Sequence, residues 1–128
     1  MPGRRRPPRT RYQAWYGREV WTVVYLPEAE YERSELPAEE QVAIHNAVKK
    51  LEAIGPRLGY PHSSQVKGSR GLRELRPRGG NCAWRPLYRR AGDRFIIAAI
   101  APDGAKDRAA FSRSCANAQE RLAKLEGE

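Results

Sequence analysis

The apolar run Phe95-Ile96-Ile97-Ala98-Ala99-Ile100 constrains the fold more than any other stretch of the sequence. A strand without polar positions is typical of the interior of a sheet that is covered on both faces. Two segments before it, 66–76 and 83–90, alternate apolar residues with arginine or lysine, which is the period of a half-buried strand. The sequence therefore predicts a sheet that displays arginines on one open face. Such a face requires an anionic partner, because like charges held together repel one another.

The remaining elements follow from periodicity and from helix-ending residues. Residues 20–26 are β-branched and aromatic, which predicts a first strand. A short acidic helix over 28–36 and a longer helix from 37 to 54 follow, and Gly55-Pro56 ends the second helix. Residues 57–65 are rich in turn residues and are predicted to form a loop. Periodic apolar residues predict a last helix over 107–125, with Asp107 as its N-cap.

The element order β-α-α-β-β-β-α indicates an α+β domain. We expect a twisted, mostly antiparallel four-stranded sheet with the helical pair on one face and a C-terminal helix. The domain is predicted to span residues 19–126, and a chain of 128 residues suits a single domain. Residues 1–18 contain six arginines and no acid, which predicts a disordered basic arm. This arm either strengthens nucleic-acid binding or has no role.

Charge is distributed unevenly along the chain. The 24 Lys+Arg and 15 Asp+Glu give a net charge of +9. Residues 28–40 hold six Glu against one Arg, whereas residues 57–94 hold ten Lys or Arg against two acids, or 10 − 2 = +8. This basic region predicts nucleic acid as the partner. The alternative is a generally basic, solvated surface.

Several other classes of protein are disfavoured by the sequence. No apolar run approaches the ~18 residues that a membrane span requires. The basic N-terminus lacks the apolar core of a signal peptide, so we expect a cytoplasmic protein without a membrane partner. Cys82 and Cys115 share no zinc-binding spacing, and His45 and His62 are isolated from each other. We therefore expect neither a metal nor a cofactor.

A series of short motifs resembles the RelE/ParE toxin superfamily, and most closely its phage-derived, HigB-like branch. The series consists of Leu58-Gly59, Lys67-Gly68, Leu-Arg-Glu-Leu-Arg at 72–76 and Trp-Arg-Pro-Leu-Tyr at 84–88. The resemblance extends over about residues 20–125 and implies a RelE-like fold. It also implies the toxin of a type II toxin–antitoxin system, an endoribonuclease that cleaves mRNA on the ribosome. The implied partner is an antitoxin with a helix-turn-helix DNA-binding domain.

The resemblance also implies roles for individual residues. The arginines of strands two and three fall on Arg76 and Arg85, the preceding lysine on Lys67 and the aromatic residue on Tyr88. After the apolar strand, where related toxins tend to carry a Lys-Lys pair, this chain has only Lys106.

Cleavage of RNA by its own 2′-OH requires a general base, cations around the phosphate and a proton donor for the leaving oxygen. Arg76 and Arg85 are predicted to grip one phosphate from adjacent strands. Lys67, Lys106 and Glu74 are candidate bases, and Tyr88 could stack on a base or donate a proton. Glu74 could instead pair with an arginine, and Tyr88 could pack under a helix.

Four cations are predicted to bind RNA. They are Arg70, Arg73, Arg89 and Lys106, of which Lys106 is also a candidate base. A non-catalytic toxin or binding module of the same fold, such as a ParE-like inhibitor of a protein target, is the alternative function. The acidic helices at 28–40 and the apolar last helix are predicted antitoxin contacts.

Overall fold

The computed structural model describes residues 20–127, so the predicted basic arm at 1–18 lies outside the described residues. The strands are β1 (Thr22–Tyr25), β2 (Ser63–Gln65), β3 (Arg73–Leu75), β4 (Trp84–Ala91) and β5 (Arg94–Pro102). The helices are α1 (Pro27–Ser34), α2 (Ala38–Ile54) and α3 (Arg108–Gly127), with short 3₁₀ helices at Gly55–Arg57 and Pro77–Gly80. The sheet order is β1-β5-β4-β3-β2. Only the β1–β5 pair is parallel among these strands.

The predicted α+β class and the order of the helices are confirmed, but the sheet formed by the described residues has five strands rather than four. The additional strand, β2, lies in the segment predicted to be a loop, and its Ser63 pairs with Leu75 of β3. A three-residue polar strand at a sheet edge is held by backbone hydrogen bonds, so it leaves no apolar alternation in the sequence. The glycines at 68 and 71 predict that the loop continues through 67–71 with a sharp turn, and these residues do form a turn before β3.

The strand β5 lies inside the sheet and is covered on both faces, as its apolar sequence predicts. On one face it packs with α1 and α2 in a core that includes Ala29, Ile44, Leu51, Tyr88 and Ile97. On the other face it packs with α3 in a core that includes Leu72, Leu87, Ala99, Ala118 and Leu122. None of the helices within residues 20–127 has the length and apolar character needed to cross a membrane.

One expectation about exposed surfaces is wrong. Within residues 20–127 the sheet has no open face lined by arginines, because α3 covers the side opposite α2 and Arg85 is only 2% exposed. The apolar face of α3 packs on the sheet through Ala118 and Leu122, whereas Leu125 near the end of this face is 48% exposed. The N-cap prediction holds, since the Ala110 N–H donates to Asp107 Oδ1 at 3.0 Å.

Glu32 connects three elements at the place where β5 extends beyond β1. The register of β1 with β5 ends at Ile97, so the next backbone groups on that side of β5 need other partners. The Ile100 N–H donates to Glu32 Oε1 at 3.0 Å, and Arg121 Nη1 donates to the Ala98 carbonyl at 2.8 Å. Arg121 Nη2 lies 2.9 Å from Glu32 Oε2. The pair therefore completes the edge of β5 and joins α1 to α3.

We expect Glu32→Ala to lower the free energy of unfolding by about 1–3 kcal/mol, because Ile100 and Arg121 would lose their acceptor while remaining shielded from water. Urea denaturation followed by circular dichroism measures this change. Glu35→Ala is the control, since the exposed Glu35 makes no side-chain hydrogen bond or ion pair to another described residue. It should change stability by less than about 0.5 kcal/mol. Equal effects of the two substitutions would contradict the role of Glu32.

Candidate functional site

A groove of about 410 Å³ lies between the N-terminal half of α3 and the β2–β3 hairpin. It is lined by Ser64, Gln65, Val66, Lys67, Glu74, Arg108, Phe111, Ser112 and Cys115. We refer to this space as the groove. Its wall carries two cations, Lys67 and Arg108, and Glu74 is the only carboxylate among its lining residues. The cations can bind a phosphate, and the carboxylate beside them can accept a proton from a neighbouring hydroxyl.

Arg108 is a site residue that the sequence analysis missed. It lies on the same face of α3 as Phe111, Ser112 and Cys115, at spacings of three, four and seven residues. The periodicity that predicted this helix through Phe111 and Cys115, extended one turn toward the N-terminus, would have found it. The predicted Lys106 lies instead in the loop before α3, where it is exposed and does not line the groove.

Lys67 lies on the turn between β2 and β3, and local hydrogen bonds fix that turn. The Ser69 hydroxyl donates to the Val66 carbonyl at 2.7 Å, and the Val66 N–H donates to the Leu72 carbonyl at 2.9 Å. Gly68 and Gly71 both have a φ of 77°, a conformation that glycine adopts without strain. The turn therefore presents the exposed Lys67 at the mouth of the groove.

Glu74 lies between the two arginines that the sequence predicted to meet. Its Oε2 is 3.5 Å from Arg76 Nη1, and its Oε1 is 3.5 Å from Arg85 Nε. Its side chain is 16% exposed, so it can still be reached from the groove. Glu74 precedes Arg76 by two residues, so both side chains lie on the same side of the extended chain, which agrees with these distances. The two guanidinium groups therefore meet at a carboxylate.

Arg85 does not have the position predicted for a phosphate-gripping residue. It is 2% exposed, and its Nη1 donates to the Cys82 carbonyl. Its Nη2 donates to the Gly80 carbonyl at 3.0 Å and lies 3.2 Å from Asp103 Oδ2. A guanidinium occupied in this way ties the loop after β3 to the loop after β5. The prediction that Arg85 contacts the substrate directly is wrong, because protein atoms surround its guanidinium group.

Arg76 remains accessible, and its neighbours fix its orientation. Its Nε donates to the Pro61 carbonyl at 2.9 Å, and its Cζ lies 5.0 Å from the centre of the Tyr60 ring. A Cβ at position 80 would lie 2.4 Å from Arg76 Nη2, so Gly80 leaves the space that this guanidinium occupies. The Arg76 side chain is 19% exposed. It is therefore a preorganised, partly exposed cation next to Glu74.

Tyr88 belongs to the core rather than to the groove. It is 2% exposed, its ring packs edge-on against Phe95 with centroids 5.6 Å apart, and its hydroxyl lies 2.6 Å from Ser63 Oγ. Stacking on an RNA base, one of its two predicted roles, requires an accessible ring face and does not fit this burial. The alternative reading, that Tyr88 packs under a helix, is the one that the structure supports.

The predicted RNA-binding residues do not converge on the groove. Arg73 donates through Nε to Ser63 Oγ at 3.0 Å, and Arg89 Nη1 lies 2.5 Å from Glu126 Oε2 near the end of α3. Arg70 is exposed on the same turn as Lys67. None of these side chains lines the groove.

The two cysteines differ in their surroundings. Burial raises the pKa of the Cys115 thiol, and the nearby Glu74 carboxylate raises it further. Burial also raises the pKa of Cys82, whose Sγ donates to Glu40 Oε1 at 3.0 Å. Neither is an activated thiolate near neutral pH, so neither has the character of a catalytic nucleophile. Among residues 20–127, no three His, Cys, Asp or Glu side chains form a cluster that could hold a metal ion.

Residues 32–122 match the family described as phage derived protein Gp49-like (DUF891). This match spans more than half of the 128 residues, so the chain belongs to the phage-derived, Gp49-like family. The toxin–antitoxin complex RelBE2 from Mycobacterium tuberculosis contains a chain with the same fold. The TM-score is 0.52 and the identity 21%, over 66% of this chain and 92% of that one.

A second comparison, with the YoeB dimer from Staphylococcus aureus, gives a TM-score of 0.49 and 16% identity over 62% of this chain and 92% of that one. No curated protein sequence matches the chain. The expected phage-derived family is confirmed by the family match, and the expected RelE-like fold agrees with the chain from the RelBE2 complex.

We expect Arg85→Ala to lower the free energy of unfolding by about 3–5 kcal/mol, because it leaves Glu74 and Asp103 without their buried counter-charge. Arg94→Ala is the matched control on the neighbouring strand, since Arg94 is exposed and has no ion pair among the described residues. It should cost less than about 0.5 kcal/mol. Urea denaturation measures both. An Arg85→Ala protein as stable as the wild type would return Arg85 to the list of functional residues.

Proposed function

We propose that this protein is the toxin of a toxin–antitoxin pair and that it cleaves RNA in the groove by attack of the 2′-OH. The family match and the fold shared with the chain from the RelBE2 complex support the toxin assignment. The observation that carries the nuclease assignment is the groove itself, which is lined by Lys67, Arg108 and the single carboxylate Glu74. Arg76 Nη1, 3.5 Å from Glu74 Oε2, adds a third cation next to this carboxylate.

In the proposed reaction, Glu74 takes the proton of the 2′-OH as general base, and the 2′-oxygen attacks the phosphorus. The bond between phosphorus and the 5′-oxygen breaks, and the Lys67 ammonium donates a proton to the departing oxygen. The products are a 2′,3′-cyclic phosphate and a 5′-hydroxyl. Arg76 and Arg108 neutralise the charge that develops on the phosphate oxygens. Arg85 acts indirectly, because its Nε lies 3.5 Å from Glu74 Oε1 and fixes the orientation of that carboxylate.

The proposed partners are mRNA, presented on the ribosome, and an antitoxin with a helix-turn-helix DNA-binding domain. The proposed contact surface for the antitoxin is the acidic stretch 28–40, but not all of its glutamates are available. Glu32 is engaged by Arg121 and Glu30 by Arg33, whereas Glu28, Glu35 and Glu39 are exposed.

We expect Arg76→Ala and Arg108→Ala each to slow RNA cleavage about 10²-fold, because each removes a cation that stabilises the transition state. The rate is measured on an oligoribonucleotide and on ribosome-bound mRNA, with mass spectrometry to detect the 2′,3′-cyclic phosphate. Arg113→Ala is the control on α3, since Arg113 is exposed and does not line the groove. It should cleave at the wild-type rate. Cleavage that survives Arg108→Ala would exclude the groove as the active site.

A non-catalytic toxin is a second candidate, and one observation favours it. Arg85 and Tyr88 are both buried, so these two side chains, which were expected to act on RNA, are unavailable to it. A protein of this kind would arrest growth by occupying a protein target while leaving RNA intact. Growth arrest by wild type without new transcript 5′ ends would select this candidate over the nuclease.

A further inference from the structure

A second, smaller cavity lies on the α2 side of the sheet, against the segment that joins β3 to β4. Its volume is about 170 Å³, and it is lined by Ala43, Asn46, Ala47, Lys50, Leu58, His62, Leu75, Arg76 and Arg78. We refer to it as the basic pocket. Pockets for drug-sized organic ligands measure roughly 300–1,000 Å³, so this volume suits a single small chemical group rather than a nucleoside.

The charges around the basic pocket are almost all of one sign. Lys50, Arg76 and Arg78 are cations, and no Asp or Glu is among the lining residues. Within residues 20–127, Lys50 and Arg78 have no ion pair with a carboxylate. Lys50 Nζ also lies 3.5 Å from His62 Nδ1, so the His62 imidazole is close to the Lys50 ammonium group. Cations concentrated in a concavity without counter-charges attract an anion.

The backbone at Arg78 gives an independent reason to look for a ligand. Arg78 has a φ of 54° and a ψ of 34°, a left-handed conformation that residues with a side chain rarely adopt. It is the only described residue other than glycine with a positive φ. Glycine would fit this backbone without strain, as it does at Gly79 and Gly80. Backbone strain of this kind is enriched at ligand-binding and catalytic sites.

Arg76 connects the basic pocket to the groove. It lines the pocket, and its Nη1 is 3.5 Å from Glu74, which lines the groove. We propose that the basic pocket binds a backbone phosphate of the same RNA, so that one strand runs from the groove past Arg76 and places a second phosphate between Lys50 and Arg78. The inference rests on the proposed function for the identity of the ligand, but it requires binding alone and no cleavage.

The two histidines allow a direct test with the full chain. His62 lines the basic pocket, whereas His45 lines a different cavity that also contains Glu30 and Glu52. We expect inorganic phosphate, and at lower concentration a 2′-O-methyl oligoribonucleotide that cannot be cleaved, to shift the imidazole NMR signals of His62 and not those of His45. A His62 signal that responds to neither probe, or to phosphate but not to the oligonucleotide, overturns the proposal.

The salt dependence of binding supplies the second test. Each phosphate contact that is lost should make the slope of log K against log salt concentration less negative by about 0.7 for a single strand. We expect this change, with a several-fold loss of affinity at low salt, for Lys50→Gln and for Arg78→Gly. Arg78→Gly relieves the left-handed strain, so its folding is not at risk. Lys49→Gln, the neighbouring lysine on α2 that lies outside the pocket, is the control and should keep the wild-type slope.

Failure of this inference and failure of the proposed function give different results. If wild type binds the oligonucleotide with a slope that Lys50→Gln and Arg78→Gly reduce, the inference stands even when cleavable RNA remains intact. If both variants keep the wild-type slope while RNA is cleaved, the pocket is not a phosphate site and only the proposed function remains. If the variants bind RNA normally but lose binding to the antitoxin, the basic pocket is a protein-binding site and the proposal is overturned.

Discussion

The arrangement of the loops after β3 and β5 depends on one buried guanidinium group, that of Arg85. Arg85 lies 2% exposed between two loops, where the Cys82 and Gly80 carbonyls and the carboxylates of Glu74 and Asp103 surround it. A buried cation is costly unless several acceptors replace its water, and removing one partner then leaves an uncompensated charge. The loops that follow β3 and β5 are therefore held together by an interaction that is strongly unfavourable to break. These loops form one end of the sheet beside the groove.

Glu74 links this buried network to the surface. One of its oxygens lies 3.5 Å from the buried Arg85 and the other lies 3.5 Å from the accessible Arg76. One arginine fixes the carboxylate from the interior, and the other lies beside it at the surface. The orientation of a candidate general base is thus set by the same ion pairs that stabilise the loops. Preorganisation of this kind removes the need for a side chain to reorient during a reaction. It also explains why the structural and functional roles of neighbouring arginines cannot be assigned from spacing alone.

The sequence predicted the parts of the fold that depend on local patterns. The apolar segment Phe95–Ile100, the cap at Asp107 and the order of the helices all arise from side-chain periodicity or hydrogen bonding within a few residues. It missed the strand Ser63–Gln65, whose pairing depends on backbone groups, and the burial of Arg85. Alternation of cations with apolar residues shows which positions share a face, but it cannot show that Asp103, on a distant loop, lies 3.2 Å from Arg85. Arg76 was identified from the sequence, and Arg108 could have been identified by extending the periodicity of Phe111 and Cys115 one turn toward the N-terminus.

We propose that RNA occupies the groove lined by Glu74, and the reactivity of Cys115 in the same groove reports directly on RNA binding. Cys115 lines the groove, whereas Cys82 is buried elsewhere with its Sγ bonded to Glu40. The measurement is the rate of iodoacetamide alkylation at alkaline pH, chosen because burial raises the pKa of both thiols, with and without a saturating 2′-O-methyl oligoribonucleotide. The account predicts that bound oligonucleotide slows alkylation of Cys115 and leaves that of Cys82 unchanged. An oligonucleotide that binds while Cys115 reacts at its original rate would contradict it.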